Sequence, residues 1–123
     1  MGHDDAAAIF DEDLALEYSG GDKELLQEIA RLFLDDSRIR LEEIREGLRK
    51  GDPSTVEHAA HKLRGSLGAL AARPAADVAQ GLESLAARGD LLEAERAVAA
   101  LDFEVARLRP AIENLIKGVG AGE

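Results

Sequence analysis

Apolar side chains recur along this chain every three or four residues, the spacing that gathers them on one face of an α-helix. Between Asp22 and about Lys50 the stripe is Leu26, Ile29, Phe33, Ser37, Leu41, Ile44 and Leu48, with Ser37 as its one polar gap. A second stripe, from Asp52 to about Ala72, is Val56, Ala60, Leu63, Leu67 and Leu70. Val78, Leu82 and Leu85 form a third and shorter one. The fourth is the most regular: Leu91, Ala94, Val98, Leu101, Val105, Leu108, Ile112 and Leu115. A weaker stretch over roughly Asp11 to Tyr18 reads as a short lead-in helix.

The breaks between stripes are short and chemically suited to ending one helix and starting the next. Gly51-Asp52-Pro53 supplies a terminating glycine, a capping carboxylate and a proline at the first helical position, where a missing N–H costs nothing. Gly20-Gly21-Asp22 and Gly89-Asp90 repeat the terminator and cap, and Pro74 can open the third long helix. Connections this short turn sequential helices antiparallel. The expected fold is therefore all-α, an up-down-up-down four-helix bundle with a short additional N-terminal helix. Pro110 falls inside the last stripe and is expected to kink that helix. The bundle should span residues 9–117, with flexible ends over 1–8 and 118–123.

Composition narrows the function. The chain of 123 residues, 46% hydrophobic, suffices for one domain with one core. It has no cysteine, so disulfides and thiolate metal sites are excluded. A net charge of -10, with three Phe, one Tyr and no Trp, argues against nucleic acid as a partner. No apolar run approaches the roughly 20 residues of a membrane span, and the N-terminus is acidic where a signal peptide is basic. A cytoplasmic, monomeric protein without a membrane partner is expected.

Candidate chemistry lies on the second long helix. At about 100° per residue, His61 sits roughly 140° from the centre of its apolar stripe, so its imidazole points to water. Glu57, Arg64, Gly65 and Gly68 share that outward sector. Glycine within a helix costs about 1 kcal/mol relative to alanine, which this sequence uses freely elsewhere, so two glycines on one exposed face ask for a reason. A bare backbone beside the histidine would let another protein approach closely. From His58 to Ala76 there is no Asp or Glu, but there are Lys62, Arg64 and Arg73, a local positive field suited to an anion such as a phosphoryl group.

The run His58-Ala59-Ala60-His61-Lys62-Leu63-Arg64-Gly65-Ser66 resembles the signature of the histidine-containing phosphotransfer (HPt) family, in which the phosphorylated histidine is followed by a basic residue at +3, glycine at +4 and often serine at +5. Phe10-Asp11-Glu12, Gly20 to Leu26, Arg31 to Leu34, Leu82-Glu83 and Arg109-Pro110 extend the resemblance to roughly residues 9 to 116. Two positions depart from it. The family usually has lysine where Arg64 stands, and commonly a Gly-Ala pair where this chain has Ala71-Ala72.

The resemblance implies that His61 carries a phosphoryl group between the aspartate of a response-regulator receiver domain and a sensor or hybrid histidine kinase. Arg64 would offset charge on the phosphoryl oxygens. Gly65, Gly68, Lys62, Ser66, Glu57 and His58 would form the docking face. No cofactor of its own is implied, since Mg²⁺ would come with the receiver, and no Gly-rich ATP loop suggests kinase activity. Glu57 could orient His61 or pair with a lysine, Ser66 could bond back to its own helix, and Lys62 and Arg64 also fit a plain solvated face. His58 is exposed too, but its +3 and +4 residues are His61 and Lys62, so it lacks the basic-glycine pair.

Three rival readings can be weighed. A carboxylate-bridged di-metal bundle needs Glu-x-x-His pairs, but Thr55 and His58 stand three residues before the two histidines. A metal held by His58, His61 and Glu57 is compatible with spacing but lacks supporting groups. An interaction module that binds receivers without phosphotransfer would not need His61, Arg64 and Gly65 together.

Overall fold

The computed structural model describes residues 9–118 and, among them, is built of helices without strands. A short α1 (Glu12–Tyr18) precedes four long helices, α2 (Lys23–Lys50), α3 (Pro53–Ala69), α4 (Arg73–Ala87) and α5 (Leu91–Lys117). Each long helix packs on the next in sequence, and α5 closes back onto α2. The fold is the all-α bundle that the periodicity predicts. The expected flexible ends lie outside the described residues, except that Gly118 is the left-handed cap of α5.

Local chemistry sets the helix limits. Asp11, Asp22, Asp52 and Asp90 each cap a helix by accepting a hydrogen bond from the backbone N–H three residues on. Helix α4 has no side-chain cap and relies on Pro74 in its first turn. Gly51 ends α2 at φ 67°, a left-handed conformation that costs glycine nothing. The end of α3 uses the same device with the wrong residue. Ala71 stands there at φ 55°, the one non-glycine residue with positive φ among those described. Its neighbour's N–H, from Ala72, bonds the Leu67 carbonyl at 3.0 Å, and its own carbonyl receives the Asp11 N–H at 3.3 Å. The strained turn thus anchors the lead-in segment and brings α4 back alongside α3.

Where helices approach most closely, small side chains occupy the contact. On α2 the buried line runs Leu26, Ala30, Phe33, Ser37, Leu41, Ile44 and Gly47, while Ile29 and Leu48 of the predicted stripe are half-buried at its edge. On α4 it is Ala75, Ala79, Leu82 and Ala86, with Val78 and Leu85 displaced to the flank. A stripe read from large apolar residues alone is rotated, because alanine and glycine let two backbones come together and bulky neighbours then fill the sides. The Ser37 gap is closed by its hydroxyl, which donates to the Leu34 carbonyl at 3.4 Å. Helix α5 buries Ala94, Val98, Leu101, Val105, Leu108, Ile112 and Leu115 of its predicted stripe, leaves Leu91 half-buried at its start, and is continuous through the exposed Pro110.

Candidate functional site

Helix α3 presents His61 and Arg64 one turn apart on its outer face. The Val56, Ala59, Ala60, Leu63 and Leu67 side chains are buried beneath them, which fixes the rotation of the helix. His61 is 58% exposed. Across from it, the short turn at Ala71 places α4, and α4 contributes a third group, Glu83. One carboxylate oxygen, Oε2, lies 2.9 Å from His61 Nδ1, and the other, Oε1, accepts from Arg64 Nε at 2.8 Å. Arg64 Nη2 in turn lies 2.9 Å from His61 Nδ1. Three side chains from two helices therefore form a closed cluster.

Glu83 is 21% exposed. Burial works against its ionisation, but hydrogen bonds from Arg64 and His61 outweigh that effect and hold its carboxyl below the usual carboxylate range. It is a carboxylate at neutral pH. A carboxylate only accepts, so its contact with Nδ1 is a hydrogen bond in the tautomer that carries the ring proton there and leaves the lone pair on Nε2. Among the described residues the ring's hydrogen bonds fall on Nδ1.

This arrangement corrects two expectations. Glu57 is not the carboxylate that meets His61 Nδ1; Glu83 is, while Glu57 lines a shallow cleft with Ser54, His58, His61 and Glu83. The purely positive field read from the acid-free segment is likewise local to the sequence, because the fold sets a carboxylate against Arg64. Glu83 was visible only as part of the Leu82-Glu83 resemblance. Its spacing on α4 carries no signal, since the partner it meets lies 22 residues earlier.

The other candidates separate. An added Cβ at Gly65 or Gly68 would meet nothing within 4 Å, so both are bare for reasons other than internal packing. Gly65 borders a groove between α2 and α3, lined by Ile29, Leu32, Phe33 and Ile39, in which Leu32 and Ile39 are exposed. Gly68 faces a different cleft, beside Asp11, Leu14 and Tyr18 of the lead-in segment. The Ser66 hydroxyl donates back to the Lys62 carbonyl at 3.3 Å. Lys62 is exposed, and His58 is exposed beside a cleft with Glu43 and Glu46, away from Arg64. Among the described residues no three His, Asp or Glu side chains are grouped to hold a metal ion, and no helix is long and apolar enough to cross a membrane.

Comparison with known proteins agrees with this geometry. The Hpt domain model matches residues 28–118. Histidine-containing phosphotransfer protein B from Pseudomonas aeruginosa PAO1 superposes with a TM-score of 0.82 at 23% identity, over 89% of this chain and 95% of that one. The HPT domain of the Hpt sensor hybrid histidine kinase from Shewanella gives 0.80 at 22% identity, over 93% and 98%. No curated protein matches. The chain belongs to the Hpt domain family, and its role is histidine phosphotransfer in two-component phosphorelays.

Proposed function

We propose that His61 is the phosphoryl acceptor, with Glu83 and Arg64 as the groups that prepare it. The observation that carries this reading is the exposed imidazole whose Nδ1 is engaged by a carboxylate. With the proton on Nδ1, the Nε2 lone pair attacks phosphorus as the bond from phosphorus to the aspartyl oxygen breaks, and the electron pair leaves on the receiver's carboxylate. The ring becomes cationic, and Glu83 stabilises it through the Nδ1–H it accepts. Arg64 donates to a phosphoryl oxygen. In the reverse direction the same atoms return the group to an aspartate. Mg²⁺ carried by the receiver would offset the remaining charge.

The receiver seats over Gly65, where the backbone is bare, and against the apolar groove beside it. Lys62 and Ser66 extend that face, Gly68 adds a second bare position toward the lead-in segment, and His58 and Glu57 lie on the opposite flank. The domain works as a relay between a kinase and a regulator, as a cytoplasmic monomer that needs neither nucleic acid, membrane nor a cofactor of its own and does not take phosphate from ATP itself.

The test is phosphoryl uptake from a phosphorylated receiver. His61→Gln should abolish an acid-labile, alkali-stable label, and His58→Gln should leave it largely intact. Label retained by the His61 variant would overturn the assignment.

A further inference from the structure

Two neighbours of His61 Nδ1, each at 2.9 Å, make incompatible demands. A carboxylate only accepts, so Glu83 requires a proton on Nδ1; a guanidinium only donates, so Arg64 Nη2 requires a lone pair there. Neutral imidazole carries one ring proton, so the two partners select opposite tautomers. Only the Glu83 choice leaves Nε2 nucleophilic.

The guanidinium is rigid and planar, and its Nε is already fixed on Glu83 at 2.8 Å. That anchor does two things. It directs Nη2 at the ring, and it engages the charge with which Glu83 would otherwise pull the proton to Nδ1. We propose that Arg64 is a gate: in the free domain its Nη2 occupies the Nδ1 lone pair, which leaves the ring proton on Nε2 and the exposed nitrogen unable to attack. An arriving phosphoryl group offers Nη2 a better acceptor. As the guanidinium turns to it, the Nε2 proton leaves to water, Nδ1 takes one from water, and Glu83 accepts the new Nδ1–H, so the ring stays neutral while its lone pair changes position. In the gated state Glu83 Oε2 and the Nδ1 lone pair face each other at 2.9 Å, a repulsion that makes the state easy to release.

The gate depends on the fork of arginine. An ammonium in its place can hold Glu83 or reach Nδ1, not both. The device therefore requires the fork of arginine and not a positive charge alone.

The inference rests on His61 as phosphoryl acceptor and is tested separately from it. Ring nitrogen NMR of the ¹⁵N-labelled domain, at about pH 8 so that imidazole is neutral, reads the tautomer directly, with His61 assigned by comparison with His61→Gln. Wild type should hold its proton mainly on Nε2. Arg64→Ala and Arg64→Lys should each lower the Nε2–H to Nδ1–H ratio by about fivefold, the worth of one net hydrogen bond. Uptake from a phosphorylated receiver should then divide the two variants: Arg64→Ala slows by about 10- to 100-fold through lost charge, whereas Arg64→Lys, which keeps the charge, slows far less. A labelled wild type whose resting ring is Nδ1–H, or a ratio unchanged in Arg64→Lys, overturns the gate alone. A wild type that takes no label on His61 overturns the phosphotransfer reading.

Discussion

Two glycines in helix interiors should respond to the same substitution with opposite signs. At Gly65 a new Cβ meets nothing within 4 Å, so Gly65→Ala gains helix propensity without a packing cost, up to about 1 kcal/mol. At Gly47, where α2 crosses α3, the Cβ would stand 2.8 Å from Val56 Cγ2 and 3.2 Å from the Val56 backbone nitrogen. The methyl could turn aside, but the backbone atom cannot. Overpacking of this kind costs about 1–3 kcal/mol, which offsets the propensity gain and leaves a net loss of up to about 2 kcal/mol. At about 4 °C per kcal/mol for a domain of this size, Gly65→Ala should melt up to about 4 °C higher and Gly47→Ala up to about 8 °C lower. Gly65→Gln extends the argument to function. It should keep most of the added stability and yet slow transfer from a phosphorylated receiver, because its side chain fills the bare surface beside His61. Thermal melts of the three variants beside a transfer time course provide the measurement. A Gly65→Ala protein that melts lower than wild type, or a Gly47→Ala protein that melts higher, would refute the packing argument; normal transfer by Gly65→Gln would refute the docking one.

Ala71→Gly should stabilise the domain by about 0.5 to 1 kcal/mol, because relief of a left-handed alanine outweighs the added freedom of the unfolded chain; an unchanged or lower denaturation midpoint would contradict this. Glu83→Gln should destabilise at neutral pH and progressively less in acid. The Glu83 carboxyl titrates lower in the folded chain than in the unfolded one, so its contribution is fully present above the unfolded value of about 4.3 and disappears as pH falls through the folded value. Urea titrations of both proteins from pH 7 to pH 3 should therefore converge, and a constant gap would exclude the ion-paired carboxylate as its source.

The sequence by itself determined the helix count, the approximate helix limits and the candidate acceptor. Aspartate caps, Gly51 and the short breaks are local devices, acting within a few residues of the chain, and a period of three to four is a property of each segment alone. His61 was legible for the same reason: its exposure, Arg64 and Gly65 all follow from positions on one helix. Tertiary structure decided which face of each helix is innermost, since close approach favours Ala30, Gly47, Ala75 and Ala79 over the larger residues beside them. It also decided the electrostatics of the site. Glu83 and His61 are 22 residues apart on different helices and meet only because α3 and α4 pack in one register, set by the turn at Ala71. A segment free of acids in sequence is not free of them in space, and the carboxylate that meets the imidazole Nδ1 belongs to the packing rather than to the motif.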